Sequence, residues 1–322
     1  MARVLITDQI FGGTEIERAV LEPLGVEVVE AQAQDEETLV ALAAGVQGIL
    51  VCFAPVTAAV VQSAAAGGCK VIARYGIGWD NVDVAEASRH GIVVTNVPDY
   101  CLDEVADHAL ALLLAHARGI VASAAAVRAG DWAVPREGVH RLAGRRLALL
   151  GVGRVGRRFA ARAAALGLEI VAYDPHLEPW DLDGVRRVDS VEEAVAEADY
   201  ISLHAPLTPE THHMIDERAI SAMRRRPLVI NTARGGTVDT DAVTAALVDG
   251  RLGGVALDVV EVEPLPADHP LRTHPRAVVT PHMAFYSAEA QHELQRRAAE
   301  EVARGLRGEP AQNPVGATAR AS

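Results

Sequence analysis

The chain has 322 residues, half of them hydrophobic, enough for a large core and, as a soft expectation, for two domains. Thirty basic residues stand against 43 acidic ones, a formal net charge of −13. Phosphate backbones and anionic lipid heads repel such a chain, so no nucleic-acid or membrane partner is expected. The cysteines, Cys52, Cys69 and Cys101, have neither C-x-x-C nor metal-ligand spacing and read as small core residues in a reducing cytosol. The N-terminus, MARVLITDQI, lacks the basic-then-apolar layout of a signal peptide, and the longest apolar run, ALALLLA at 109–115, is too short to span a bilayer. A soluble cytoplasmic protein is expected.

In chain order, the first third offers strands at 3–7, 26–30, 48–53, 70–74 and 92–96, with helical stretches near 14–22, 35–44, 57–66 and 82–89 between them. Continuous apolar strands alternating with helices predict a parallel sheet covered on both faces. CLDEVADHALALLLAHAR at 101–118 predicts a long helix whose second half is apolar almost all round, as in helices buried between domains or subunits. A second strand series follows at 145–151, 168–174, 199–204, 227–232, 253–259 and 277–281. Residues 287–306 predict a final amphipathic helix with Ser287 as its cap. The tail from Gly308 is small, polar and Pro/Gly-containing and is expected to be poorly ordered. No short-period repeat is present.

GVGRVG at 151–156 has the G-x-G-x-x-G form, a weak signal alone but a strong one after the strand RRLALL and before the helix RRFAARAAALG. Gly151 allows the tight turn, Gly153 lets the backbone approach a pyrophosphate, and Gly156 permits close helix–strand packing. The helix N-terminus, which opens with Arg154 and Val155, supplies N–H donors. Asp174, 18 residues after Gly156, ends the next strand. It can accept hydrogen bonds from ribose hydroxyls and repel the extra phosphate of NADP, so NAD(H) is the expected cofactor.

Ligands of doubly wound sheets sit beyond the carboxyl ends of the strands, where His204, Thr232, Arg234, Asp258 and His282 fall, with Glu263 a few residues past Asp258. Arg234, Glu263 and His282 can be given chemistry. A 2-oxo acid needs a cation for its carboxylate and carbonyl oxygen, which a planar guanidinium suits. It needs a proton donor when hydride reaches the carbonyl carbon, which an imidazole suits. A carboxylate beside that imidazole holds its orientation and favours its protonated form. Adjacent His212 and His213 are expected to point different ways, and no other histidine has paired ligand spacing, so no metal site is expected.

The chain to about residue 315 resembles the D-isomer-specific 2-hydroxyacid dehydrogenases. The resemblance rests on YGIGWDNVD (75–83), NVPDYCLDEVADHALALLLAHAR (96–118), LLGVGRVG (149–156), LHAPLTPET (203–211), INTARGG (230–236), ALDVVEVEP (256–264) and TPHMAFYS (280–287). RYGIGWDN and HMAFYS look most like the branch of the C-terminal-binding proteins, NAD-linked corepressors, and their bacterial relatives. The resemblance implies two doubly wound α/β domains separated by a cleft. One is a flavodoxin-like substrate domain (1–97 and 286–310) and the other a Rossmann NAD-binding domain (98–285), with 311–322 as a tail. It implies a homodimer built around the 101–118 helix. It also implies that Arg234 binds substrate, His282 is the acid/base and Glu263 its partner, and that Asp258 holds the nicotinamide carboxamide. The turn His204, Ala205, Pro206 and Thr208 and the Thr232–Ala233 backbone would line the cofactor. The Ile77 and Gly78 amides would receive the substrate carboxylate, with Arg74 and Tyr75 as side-chain contacts.

A glutamate rather than a glutamine beside the histidine argues against formate dehydrogenases. Met283 and Phe285 are bulkier than many members carry after the histidine, so Phe285 either packs on an apolar substrate group or closes the pocket to all but small acids. The expected activity is hydride transfer between NAD(H) and a D-series 2-oxo/2-hydroxy acid. The alternative is an NAD(H)-sensing, corepressor-like dimer with weak or no turnover, and oxidation of a non-carbon acid such as phosphite is a minor variant.

Overall fold

Short, mostly apolar runs become strands and the stretches between them become helices in the computed structural model, which describes residues 2–134 and 138–316. The chain runs through β1 (Ala2–Ile6), α1 (Glu15–Leu21), β2 (Val26–Glu30), α2 (Glu36–Ala43), β3 (Gly48–Val51), α3 (Ala58–Ala66), β4 (Val71–Arg74), α4 (Val84–Arg89) and β5 (Val93–Thr95). It continues through α5 (Leu102–Ala117), α6 (Ile120–Arg128), β6 (Arg146–Leu150), α7 (Arg154–Ala165), β7 (Glu169–Tyr173), β8 (Val185–Arg187), α8 (Val191–Val195), β9 (Tyr200–Leu203) and α9 (Glu217–Ala222). It closes with β10 (Leu228–Asn231), α10 (Thr240–Val248), β11 (Gly254–Leu257), β12 (Ala277–Val279) and α11 (Ala288–Arg307). Two compact units result: Met1–Tyr100 with Ser287–Ser322, and Cys101–Tyr286.

The first unit holds a five-stranded parallel sheet in the order β2-β1-β3-β4-β5. Its inner strands β1, β3 and β4 are largely apolar on both faces because helices cover both, as the continuous runs predicted, while the edge strand β2 exposes Glu27 and Glu30. One face packs Leu39, Val60, Val61 and Ala64 of α2 and α3 against Ile49, Val51 and Ile72. α11 packs against β3, β4 and α1, and Gly48 makes room for it: a methyl there would lie 2.9 Å from Val302. The expected cap of α11 is present, with Ser287 Oγ accepting from Ala290 N at 2.9 Å.

The expectation of a poorly ordered tail from Gly308 is corrected over 309–316. Pro314 bridges Thr95 antiparallel, Val315 N donates to Val94 O at 2.9 Å, and Val315 is buried. The Glu301 carboxylate anchors the segment by accepting from Gln312 N at 3.1 Å. Composition could not show this, because what orders the segment is the unpaired edge of β5. Residues 317–322 lie outside the described residues.

The second unit holds a seven-stranded parallel sheet in the order β12-β11-β10-β9-β6-β7-β8, reversing direction between β6 and β9. The register aligns the strand ends: Leu150 pairs with Tyr173 and Leu203, Leu203 with Asn231, Asn231 with Leu257, and Leu257 with Val279. The residues one step further, Gly151, Asp174, His204, Thr232, Asp258 and Thr280, therefore form a row along the carboxyl edge. α5 buries Ala106, Ala109, Leu112 and Leu113 against α7 and the sheet, while Leu110 and Leu114 stay half-buried. Among the described residues no single helix is long and apolar enough to cross a membrane.

Candidate active site

The row of strand ends builds two neighbouring features. The first is the glycine turn between β6 and α7. Gly151 has φ +91°, and a Cβ there would lie 2.6 Å from Ala205 N, so only glycine lets the 204–208 turn approach. A Cβ on Gly156 would lie 2.5 Å from Gly151 O, whereas nothing stands within 4 Å of one built on Gly153. Gly153 caps α7 without a side-chain bond, so the first amides of a 12-residue helix are left for an anion. Arg154 is exposed beside them, and Val155 packs against the core.

Asp174 accepts from Val152 N at 2.8 Å and from His176 N at 3.0 Å, which fixes its half-buried carboxylate over the turn. Across the sheet, Thr232 Oγ1 is buried with no hydrogen-bond partner, and the adjacent Ala233 N is held by Asn231 Oδ1 at 3.0 Å. A buried hydroxyl without a partner, on the same sheet edge as an open helix N-terminus and a fixed carboxylate, fits a dinucleotide.

His204 contributes differently. Its ring lies 5.0 Å from that of Phe159 and bonds Ser202 Oγ at 2.9 Å, and burial pushes its pKa down to about 3. It is a neutral packing group, and it shapes the turn through its backbone, His204 N donating to Leu150 O at 2.8 Å. Ala205 is buried and Pro206 exposed, and Thr208 N donates to Thr211 Oγ1 at 2.7 Å, so the turn holds its own shape.

The second feature is a histidine–carboxylate pair. His282 Nδ1 stands 2.7 Å from Glu263 Oε2, and Glu263 Oε1 accepts from Val260 N at 3.1 Å. Burial raises the Glu263 pKa, but the His282 hydrogen bond and charge, the Val260 amide and the nearby Arg234 charge outweigh it, leaving the carboxyl below its ordinary value. Arg234 follows β10 in extended conformation, its carbonyl fixed by Asn231 Nδ2 at 2.9 Å and Thr237 Oγ1 at 2.7 Å. Its guanidinium donates to Ala233 O at 2.7 Å. Gly235 follows because a methyl there would overlap the Val260 carbonyl of the Glu263 loop.

The loop that presents His282 is held by Asp258. Its carboxylate accepts from Thr280 Oγ1 at 2.5 Å, Met283 N at 2.9 Å and Ala284 N at 2.8 Å, and its carbonyl accepts from His282 N at 2.8 Å. Asp258 is 2% exposed, so the residue expected to meet a nicotinamide carboxamide already has its carboxylate engaged by this loop. His282 sits inside the loop at φ 51°, an uncommon conformation for a side chain larger than glycine's. His108 of α5 completes the network, its Nε2 3.0 Å from Thr280 Oγ1 and 3.6 Å from Asp258 Oδ1. Sequence reasoning missed His108 and Thr280, because nothing in the spacing of residues 172 apart marks them as partners.

Within the first unit, the turn after β4 carries Gly76 at φ +137°, and among the described residues the Ile77 and Gly78 amides have no acceptor. The Arg74 guanidinium bonds the Tyr75 carbonyl and lies 5.8 Å over the Phe53 ring. Tyr75 corrects its expectation as a substrate contact. It is 1% exposed, its hydroxyl donates to buried Glu17 at 2.8 Å, and its ring meets Phe11 edge-on at 5.1 Å. The alternation that makes Arg74 polar-facing turns Tyr75 into the core. Phe285 is half-buried, while Met283 is 40% exposed.

One more expectation is corrected: the His212 and His213 rings do not point apart but stack, with centroids 3.8 Å apart.

Comparison with known proteins accords with this geometry. The family model for the NAD-binding domain of D-isomer specific 2-hydroxyacid dehydrogenases matches residues 110–284. The chain is 37% identical over 317 residues to D-3-phosphoglycerate dehydrogenase of Methanocaldococcus jannaschii, covering 98% of itself but only 59% of that protein. It is 41% identical over 258 residues to glyoxylate reductase of Korarchaeum cryptofilum, covering 78% of itself and 76% of that protein. Among solved structures, D-lactate dehydrogenase of Aquifex aeolicus, complexed with NAD and lactic acid, superposes with a TM-score of 0.85 at 28% identity, covering 95% of this chain and 96% of that one. The chain belongs to the D-isomer-specific 2-hydroxyacid dehydrogenases, a family of NAD-dependent oxidoreductases, and its second unit carries their NAD-binding domain.

Proposed function

We propose that the protein is an NAD(H)-dependent reductase and dehydrogenase of small D-2-hydroxy acids, with Arg234, Glu263 and His282 as its catalytic residues. The observation that carries this reading is the 2.7 Å contact of His282 with Glu263, near the Arg234 charge, in the unit matched by the NAD-binding model. Bound NAD(H) supplies the hydride donor or acceptor. Arg234 orients the acid through its carboxylate and carbonyl oxygen. Nδ1 of His282 faces Glu263, which makes Nε2 the proton-transfer atom. In reduction the carbonyl carbon gains hydride, the oxygen takes the Nε2 proton, and a neutral imidazole remains. Oxidation is the reverse. Glu263 stabilises the charged imidazole and fixes its tautomer.

Asp174 reads the ribose in favour of NAD, the Gly151–Gly156 turn and the 204–208 and 232–233 segments bind the rest, and Asp258 positions the His282 loop. Taken by itself, the 76–78 turn of the first unit is proposed to bind a carboxylate through the Ile77 and Gly78 amides. Among acids named for relatives, small unphosphorylated ones such as glyoxylate fit better than a phosphoglycerate, because 280–286 brings the bulky Met283 and Phe285 and no Lys or Arg. The protein is further proposed to be a cytoplasmic homodimer. Buried thiols at Cys52, Cys69 and Cys101 suit a reducing compartment. An apolar face suits a second copy: Ile120 and Val127 of α6 are 55% and 48% exposed, and Trp132 beyond it is 89% exposed.

The test is NADH consumption against glyoxylate, hydroxypyruvate, pyruvate, phenylpyruvate and a methionine-derived 2-oxo acid, with His282→Ala alongside. The mutant should lose about a hundredfold or more in turnover while binding NADH as before. Near-normal turnover would remove His282 from the mechanism. Tight NADH binding without turnover on any acid would favour the NAD-sensing, corepressor-like dimer.

A further inference from the structure

The loop that carries Glu263 also carries Glu261, whose carboxylate meets the stacked histidines. His213 Nε2 stands 2.6 Å from Glu261 Oε1, and Glu261 Oε2 accepts from Thr240 N at 2.8 Å. One ligand atom each from His212, His213 and Glu261 lies within 4.8 Å of the other two. The rings come together because His213 takes the left-handed conformation, φ 54°, held by its N–H donating to Gly236 O at 2.9 Å. Among the described residues only His213 and His282 do so without being glycine. Such backbone is unfavourable for a side chain larger than glycine's and persists where its surroundings impose it, often at sites of binding or catalysis.

Two imidazoles and one carboxylate form a donor set that suits zinc, nickel, cobalt or copper and not the hard, oxygen-seeking magnesium or calcium. Bonds of about 2.0–2.2 Å draw the donors of one ion to roughly 3–4 Å of each other, so a 4.8 Å span closes by small side-chain rotations. His212 and Glu261 are exposed enough to make them. The ion would take the place of the proton now shared by His213 and Glu261. Thr240 N already orients the carboxylate, and Asp239 Oδ2 lies 4.0 Å from His213 Nδ1, a short side-chain movement away from holding the imidazole once Nε2 binds metal.

We propose that His212, His213 and Glu261 form a binding site for one divalent transition-metal ion, tying the 212–213 segment to the loop that bears Glu263. The reading does not depend on catalysis, so its test does not use turnover. Tag-free full-length protein, stripped with EDTA and desalted, would be titrated with zinc by calorimetry, and cobalt loading followed by visible absorption. One equivalent per chain is expected, with a dissociation constant tighter than about 100 µM, no weaker than about −5.5 kcal/mol of binding. His212→Ala and Glu261→Gln should each weaken it at least about tenfold, since even losing a supporting partner costs about 10–100-fold. His292→Ala, in the other unit, should leave it unchanged. Because His212 is exposed, its variant should keep the wild-type far-UV circular dichroism and melting temperature without metal. Weaker or absent zinc binding overturns the proposal, as does equal affinity in either ligand variant.

Discussion

Replacing Asp258 with Asn exchanges one acceptor oxygen for a donor at the base of the His282 loop. The native carboxylate takes three hydrogen bonds, two at Oδ1 from Thr280 Oγ1 and Met283 N, and one at Oδ2 from Ala284 N. An amide has one oxygen. If that oxygen sits at the Oδ1 position, its NH2 faces the Ala284 N–H. If it sits at the Oδ2 position, its NH2 faces Met283 N–H, while the Thr280 hydroxyl can rotate to accept. In both orientations one backbone donor loses its acceptor in a site that is 2% exposed. Losing one charge-assisted bond and stranding its donor costs about 2–4 kcal/mol, the two parts not being fully additive. Met283 follows His282 directly, so the loop moves with it, and a shift of about 1 Å at the proton-transfer atom costs on the order of a hundredfold in rate. Urea denaturation with a signal from the second unit measures the first effect, and kcat with NADH the second. The expected pattern is lower stability and lower kcat with little change in NADH dissociation constant. Unchanged stability with NADH binding weakened tenfold or more would refute the loop-holding role and return Asp258 to the nicotinamide.

Gly235→Ala forces the Val260 carbonyl and the Glu263 loop outward and should cost about 1–3 kcal/mol. It should also lower kcat more than NADH affinity, which steady-state kinetics with a fluorescence titration would separate. Glu17→Gln should raise the melting temperature of the first unit at pH 8, by about 2–4 °C per kcal/mol recovered. Burial, aided by Glu30, raises the Glu17 carboxyl above its ordinary value despite the opposing bonds from its own backbone, Tyr75 and Gln295. A raised group stabilises fully below its unfolded value and loses that contribution as pH climbs through its folded value, so the mutant's advantage should shrink as pH falls toward 4. An advantage that does not vary with pH would be inconsistent. Val127→Asp with Trp132→Asp should convert a dimer into a monomer by light scattering after gel filtration, and an unaltered mass would place the interface elsewhere.

Much of this architecture is written locally. Largely apolar, fully buried strands at 147–150, 200–203 and 228–231 announce a covered parallel sheet, and each is one step short of a polar or glycine residue. The aligned register converts that repeated local fact into one shared edge. The contact of Glu263 with His282 was legible for the same reason, since the two lie on the connections that follow β11 and β12, and parallel pairing of those strands brings their ends together. Short helices such as α8 were not read from the sequence: five residues carry too little apolar periodicity, and the local mark of α8 is its cap, Ser190 Oγ accepting from Glu193 N. Tyr75 was misread because a motif places a residue near a site without saying which face of the strand end its ring takes.

What the sequence withheld shares a physical cause. Asp258 reads as a ligand group because a carboxylate at a strand end is open until something covers it. The covering here comes from residues 280–284 and from His108 on α5, elements that become neighbours only when the sheet has assembled. Its burial then follows from the demand that two loop amides and a hydroxyl be satisfied out of water. The left-handed turns at His213 and His282 are equally non-local. Their N–H groups are accepted by the carbonyls of Gly236 and Asp258, each on a different strand connection. A histidine held in that conformation has less freedom to swing away than one in an ordinary loop, because release would strand a backbone donor as well as lose a side-chain contact. That restraint keeps the His282 ring in register with Glu263 before any substrate arrives, which is what the proposed proton transfer needs. The same restraint on His213 keeps two imidazoles stacked where two freely rotating ones would separate.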